Sequence, residues 1–457
     1  MSVSFRKSIL LFIVLTLCFP GQVFALGSSV YRMNLNECIA SALRMNEELK
    51  VAHYDVMSSI AQKIEATKRY VPVVKYKYRF APVPRDLDNP AESFFSGDIS
   101  VVNTIKVEAG IPVTTFGKLT VARELADIGI DASKLQKVRK GNDVVLDIYK
   151  LYYGILLARE LKVIANKGLD AVLQKVKELE AEENTDQLQI LKLKAIMYQV
   201  EKKLDEANKK EKIALAMLKF RVGLEDEDNF DIKGTYLSRE HFPYKTYNEL
   251  LSLSQEKRPE FTLLSYQVAA KKKQIKLEKT EYYPKLILGT FFEYGVSPGI
   301  RGDETDNAFN NPFNFTRAGV GFELSSDLDF RKIKSKVEMA KAAHLKAVAD
   351  QKSNSRLLEI DMRNAYLELE QKRKLLWRSE KEEKSARQVV FLTKSNLDIG
   401  LGEKKDYLEA LQSYLVVQAA VLENIYDYNV AVATVKSKIG ALFDPAKLDI
   451  YKKANEY

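Results

Sequence analysis

The sequence predicts a mixed α/β membrane protein built from two internal repeats, each a helix, two membrane-crossing strands and a long helical hairpin. Three observations carry this. An ordered series of residues recurs along the 457-residue chain at nearly one interval. Each copy contains a pair of extended segments of near-spanning length, separated by a polar loop. Each copy ends in a helical region much longer than a compact domain uses.

The duplication is read residue by residue. Asn46-Glu47-Glu48-Leu49 precedes Tyr54, Gln62, Tyr70 and Pro72, and Arg258-Pro259-Glu260-Phe261 precedes Tyr266, Gln274, Tyr282 and Pro284 with the same spacing. Phe116, Asp147 and Tyr152 correspond in turn to Phe330, Asp361 and Tyr366 at almost the same offset. Such an order is the mark of a repeated unit. The opening helix of each unit is expected over Leu35 to Arg69 and Lys245 to Glu281, the first with Asn34 and Glu37 forming a capping box.

Extended segments follow. The first pair is Tyr70 to Pro82 and Ile99 to Val113, the second Leu286 to Tyr294 and Phe315 to Ser325. Apolar and polar residues alternate over Ile105-Lys106-Val107-Glu108-Ala109, and Ala318, Val320, Phe322 and Leu324 alternate with Gly319, Gly321 and Glu323. That period suits strands with one apolar and one wet face. Four strands cannot close a useful pore, so several protomers must share one barrel, their number not being written in the spacing.

Long helical regions are expected over Leu119 to Arg221, interrupted near Asn184-Thr185-Asp186, and over Lys332 to Ile439, interrupted between Asn396 and Gly402. They are rich in Lys, Glu, Leu, Ala and Gln, with apolar stripes such as Val172, Val176, Leu179 and Leu188, Leu191, Ala195. An arm of roughly 50 residues is a rod on the order of 80 Å, a length that suits a structure crossing distance. The resulting domain plan is a first repeat over 26–221, a linker over 222–244, a second repeat over 245–441 and a tail over 442–457.

Composition narrows the class. A mean hydropathy of −0.24 speaks against a bundle of apolar membrane helices. The formal charge of +9 comes from 71 basic and 62 acidic residues interleaved along helices, a pattern of solvated faces and not of nucleic-acid binding. Residues 1–25 read as a secretory signal peptide: Arg6 and Lys7, an apolar run from Ile9 to Phe19, a break at Pro20-Gly21, and small residues at Val23 and Ala25 before the cut. Its loss lowers the charge from +9 to +7. Leu17 precedes Cys18 where a lipoprotein signal wants a small residue, so Cys38 is the one cysteine expected in the mature chain, buried in the first helix.

No enzymatic chemistry is legible. His53, His241 and His344 stand far apart, with no HExxH, paired-cysteine, Lys-bearing phosphate-loop or GxSxG pattern, and Gly400-Leu401-Gly402 follows a helix and not a strand. The expectation is a non-enzyme without cofactor or metal.

The duplicated plan resembles the TolC-like outer membrane efflux protein family from about Met33 to Phe443. The matching stretches are Leu35-Asn36-Glu37-Cys38-Ile39-Ala40, Asn46-Glu47-Glu48-Leu49, Tyr282-Tyr283-Pro284-Lys285-Leu286, Gly400 with Asp406-Tyr407-Leu408-Glu409-Ala410, and Ile439-Gly440. The resemblance implies a homotrimer with a twelve-stranded outer-membrane β-barrel continuous with a coiled-coil α-barrel crossing the periplasm. It implies an equatorial belt formed by the linker and tail. It also implies a periplasmic tip that docks on an adaptor coupled to an inner-membrane transporter, conducting an efflux or type I secretion substrate passively.

At that tip the resemblance assigns pore-constriction positions to Asp406, Glu409 and Asp186, and tip or adaptor contacts to Gly400, Gly402, Lys404 and Lys405. Acidic residues in the first turn of a helix are also favoured by its N-terminal dipole, an alternative that stays open. Where the family places an aromatic and a basic residue near the second hairpin, this chain has Leu397 and Gly402, so its closing contacts differ. Lys404 and Lys405 supply replacement charge, or packing alone holds the tip. A non-conducting, envelope-spanning coiled-coil scaffold is the rival reading of the same helices.

Overall fold

The computed structural model describes residues 30–68, 72–181, 187–225, 229–243, 245–300, 313–326 and 328–443. Residues 1–25, the expected signal peptide, and Asp186 lie outside the described residues.

The first repeat opens with β1 (Tyr31–Met33), α1 (Leu35–Met45) and α2 (Glu47–Lys68). It continues with β2 (Val73–Pro84), α3 (Pro90–Phe95), β3 (Ile99–Thr114) and the hairpin arms α4 (Lys118–Glu180) and α5 (Gln187–Val222). A short strand β4 (Phe230–Ile232) pairs in parallel with β1. The second repeat gives α6 (Tyr247–Lys257), α7 (Pro259–Lys279), β5 (Lys285–Val296), β6 (Phe315–Ser325), α8 (Phe330–Asp398) and α9 (Lys404–Lys438). At 69 residues, α8 is a rod of about 100 Å.

The capping box predicted at Asn34 is present, and Thr246 with Glu249 repeats it. The opening helices, expected as single spans, are each broken once, at Asn46 and Arg258. Both break residues are extended, with ψ of 125° and 119°. The causes differ. Asn46 turns its side chain into a new helix cap, Oδ1 accepting from the Glu48 N–H at 3.0 Å. Arg258 precedes Pro259, whose ring disfavours the helical conformation before it.

Each break is packed against the end of a long helix. Gly223 and Gly440 end α5 and α9 with φ of 78° and 71°. A Cβ on Gly223 would lie 2.5 Å from Met45 Cβ, and one on Gly440 2.7 Å from the Lys257 carbonyl oxygen. Met45 and Lys257 are the residues just before the two breaks. Glycine is required by both the positive φ and the close approach.

Two cores sit at this level. One gathers Cys38, Ala42, Val144, Ile148, Ile155 and Leu218 around α1, α4 and α5. The other gathers Leu250, Met362, Leu376, Val432 and Val435 around α6, α8 and α9, with Ile425 touching both. The linker is stitched between them: the Glu240 N–H donates to Asn429 Oδ1 at 2.8 Å, and the Tyr153 hydroxyl and Lys436 ammonium donate to the Glu240 carboxylate at 2.6 and 2.7 Å. Burial alone would raise the Glu240 carboxyl, but those two donors outweigh it and hold it below its ordinary range. At the end of the described chain, Phe443 seats its ring over Gly141 and donates its N–H to Asn142 Oδ1 at 2.9 Å.

Candidate pore: the sheet and the hairpin tip

The four long strands form one antiparallel sheet in the order β2-β3-β5-β6. The two repeats therefore meet in the middle, through β3 and β5, and leave β2 and β6 as edges. Observed strands run one or two residues past the expected bounds at the end of β2, the end of β3 and both ends of β5, β2 begins three residues later than expected, and β6 matches throughout.

Register sorts the side chains into two faces, because partners directly across antiparallel strands share a face. One face carries Val74, Tyr76, Tyr78 and Phe80; Ile105, Val107 and Ile111; Leu288, Phe292 and Tyr294; and Val320, Phe322 and Leu324. No Asp, Glu, Lys or Arg stands on it within the paired strands. Its Asn103 amide oxygen accepts from the Tyr78 hydroxyl at 2.6 Å, so even that polar group is satisfied. The opposite face carries Lys75, Lys77, Arg79, Lys106, Lys285 and Arg317 with Glu108, Glu293 and Glu323.

The apolar face is uncovered, whereas on the charged face Lys75, Lys77 and Arg79 are exposed and Val102, Thr104 and Phe315 are buried. Tyr76 and Phe80 are each 64% exposed and Val320 77%, values foreign to residues of this type in a finished fold. Among the described residues the edges β2 and β6 present unpaired backbone groups beside this open apolar face. Among the described residues no helix is long and apolar enough to cross a membrane.

The strand-to-helix junctions are clamped by rings. Phe116 stacks on Tyr283 at 5.7 Å and Phe330 on Tyr282 at 6.4 Å, each residue of the duplicated pair gripping the same Tyr-Tyr step. Below them the Lys118 ammonium pairs with Glu281.

At the far end, α8 and α9 are joined by a tight turn. The N–H groups of Leu401 and Gly402 both donate to the Asn396 carbonyl, at 2.8 and 3.0 Å, and Gly400 has φ of 77°. A Cβ on Gly402 would stand 3.1 Å from Asn396 Cβ and from the Leu397 N, so the absent basic residue of the family pattern has a local cause. Ile399 and Leu401 project outward, the latter 83% exposed. Asp406 and Glu409 are exposed on the first turns of α9, as are Lys404 and Lys405. Lys405 Nζ lies 3.9 Å from Glu409 Oε1, a loose pair between exposed side chains. The turn thus gathers Asp406, Glu409, Gly400, Gly402, Lys404 and Lys405.

Sequence reasoning passes over one feature of the junction level, its ion clusters. Arg221 reaches Glu48 and, at 2.8 Å, Asp147. Arg258 and Lys438 reach Asp361 at 2.8 and 2.9 Å. The matched Asp147 and Asp361 are the signal that marks them. Among the described residues no cluster of His, Cys, Asp and Glu could hold a metal ion.

Comparison with known proteins follows the same lines. Residues 250–441 match the family profile described as outer membrane efflux protein. No curated protein sequence matches the chain. The open state of the Neisseria gonorrhoeae MtrE outer membrane channel shares the fold at a TM-score of 0.73 and 16% identity, over 90% of this chain and 89% of that one. The Campylobacter jejuni CmeC outer membrane channel shares it at 0.72 and 17% identity, over 92% and 89%. The Vibrio cholerae outer membrane protein VceC does so at 0.69 and 16% identity, over 89% and 96%. Residues 250–441 thus match the outer membrane efflux protein family, and the fold of these outer membrane channels is shared along nearly the whole chain.

Proposed function

We propose that this chain is the outer-membrane channel of a tripartite efflux or type I secretion system. Three copies join their four-stranded sheets edge to edge into one twelve-stranded barrel in the outer membrane. Their long helices bundle into a tube through the periplasm, and the α8–α9 and α4–α5 hairpin ends form its inner tip. Residues 1–25 direct export and are removed, residues 26–221 and 245–441 are the two conducting repeats, and residues 222–244 and 442–457 form an equatorial belt.

The observation that carries this reading is the sheet, with an uncovered apolar face, an opposite charged face and, among the described residues, two unpaired edges. A soluble scaffold gives no reason to leave Tyr76, Phe80, Val320 and Phe322 exposed together. The chain needs no catalytic group, because the partner transporter supplies the energy. At the tip, Asp406, Glu409 and Asp186 form rings of like charge in the trimer that favour cations. Gly400, Gly402, Lys404 and Lys405 present the turn to the adaptor.

Purification from outer membranes, heat-modifiable migration in detergent and single-channel recording in planar bilayers test it. Discrete cation-favouring openings, weakened in selectivity by Asp406→Ala/Glu409→Ala, support the channel and its constriction. Openings unchanged in that variant remove the residue assignment. A folded protein in the soluble periplasmic fraction overturns the channel.

A further inference from the structure

The charged face of the sheet is not balanced. Across the paired strands it bears six basic side chains, Lys75, Lys77, Arg79, Lys106, Lys285 and Arg317, against Glu108, Glu293 and Glu323, a net +3 per protomer. The excess is concentrated in one place. Lys77, Lys106, Glu293 and Arg317 lie in register across all four strands, and Lys75 and Arg79 flank Lys77 on the same face of β2. Glu108 is shared by two cations, Lys106 at 2.8 Å and Lys77 at 3.6 Å, so the cluster around it stays positive.

The rows that flank the cluster hold Phe291 and Phe315, and Arg317 packs over the Phe315 ring at 4.4 Å. Gly110, Gly289 and Gly321 are in register with one another, four residues along the strand from the Lys77 row and on the same face. In that row only Val73 bears a side chain. Lys75, Lys77 and Arg79 are exposed.

We propose that the exit end of this channel is a cationic filter whose substrates are small anionic solutes, bearing carboxylate, sulfonate or phosphate groups, gathered by Lys75, Lys77, Arg79, Lys106 and Arg317. The inference rests on the channel reading, which turns the charged face toward the lumen. In a closed barrel the row repeats in every protomer, and low-dielectric walls focus its field along the axis. Strand tilt spreads the row into a helical band of charge along the lumen. Its polarity is opposite to that of the acidic positions at the tip.

The test uses the full-length protein in planar bilayers with inorganic pyrophosphate as the probe. Added on the side where the strand connections emerge, pyrophosphate should reduce the current at a concentration about tenfold lower than when added on the helical side. Raising the salt toward 1 M, where the screening length falls to about 3 Å, should abolish the block. The variant Lys75→Gln/Lys77→Gln/Arg79→Gln should still migrate as a heat-modifiable trimer and open, and should need about tenfold more pyrophosphate. Equal block from both sides of the wild type, no block, or unchanged block in the variant overturns the filter. The wild-type comparison stands even where the triple variant fails to assemble. Openings indifferent to pyrophosphate overturn this inference alone, whereas an inserted trimer without openings overturns it together with the channel.

Discussion

The two repeats answer one structural demand with different side chains. In each, a short helix must break, turn and receive the glycine end of a long helix. The first repeat breaks at Asn46, an uncharged cap whose amide N–H also donates to the Arg221 carbonyl at 3.0 Å, and its cation arrives from the long helix as Arg221. The second breaks at Arg258, whose guanidinium is itself buried and reaches Asp361, while the long helix adds Lys438 to the same carboxylate. The backbone geometry is the same at both breaks, and the charge is distributed differently within it. The lesson is that the glycine contact and the anionic anchor are what this junction needs, and the source of the cation is free.

The largest break in that symmetry should come from the glycines, where the two repeats ought to behave alike. Gly440→Ala places a Cβ against the Lys257 backbone at positive φ, and Gly223→Ala meets Met45. Each should cost about 3 kcal/mol or more, combining left-handed strain with a clash, read as a fall in melting temperature in detergent.

Removing the buried cation should separate the repeats. Arg258→Ala leaves Asp361 and Glu260 short of their partner and should cost about 3 kcal/mol, whereas Asn46→Ala, which loses a cap and one neutral hydrogen bond, should cost about 1 kcal/mol. Thermal melts of the two variants under one condition check the ordering. Equal losses would mean that the charge at Arg258 adds nothing beyond the cap.

Acid provides a gentler probe. Glu48 is held below its ordinary range by hydrogen bonds from Lys140 and Arg221, burial opposing them. Burial pushes Asp361 up, and Lys438 and Arg258 outweigh it and hold it down. Both are carboxylates with folded values below their unfolded ones. Their contribution is fully present above the ordinary carboxylate range and is lost as pH falls through the depressed values. Melting temperature should be flat from pH 7 to about pH 5 and then fall. Arg258→Gln should flatten the acid limb.

The smallest effect concerns Cys38, which has no counterpart cysteine in the second repeat. Fully buried, its thiol is pushed up to about 12. Maleimide labelling at neutral pH should be absent in the folded protein and complete in denaturant.

Much of this architecture is legible in the chain. The Asn46 and Arg258 series marks two equivalent positions, but helical composition on either side suggests continuous spans, and the breaks there go unread. Gly400 and Gly402 mark the second tip, because a residue at positive φ and one pressed against Asn396 each select glycine. The alternation over Ile105-Lys106-Val107-Glu108-Ala109, and of Ala318, Val320, Phe322 and Leu324 with Gly319, Gly321 and Glu323, already separates two faces on β3 and β6. The site is less legible, since Asp406 and Glu409 read equally as helix-end acids, and nothing in their spacing tells a pore ring from a solvated turn.

By itself the sequence determined the repeat, the order of helix, strands and hairpin, the period of each element and the places where each must turn. These are local consequences of periodicity, caps and glycine. Only the tertiary structure decided that β3 pairs with β5, joining the repeats through their strands, because register is a non-local choice among several chemically acceptable pairings. Tertiary structure also put Arg221 and Asp147, or Arg258 and Asp361, within hydrogen-bond reach across more than 70 and 100 residues of chain. No period in a sequence encodes such meetings, which depend on where long rigid helices end in space.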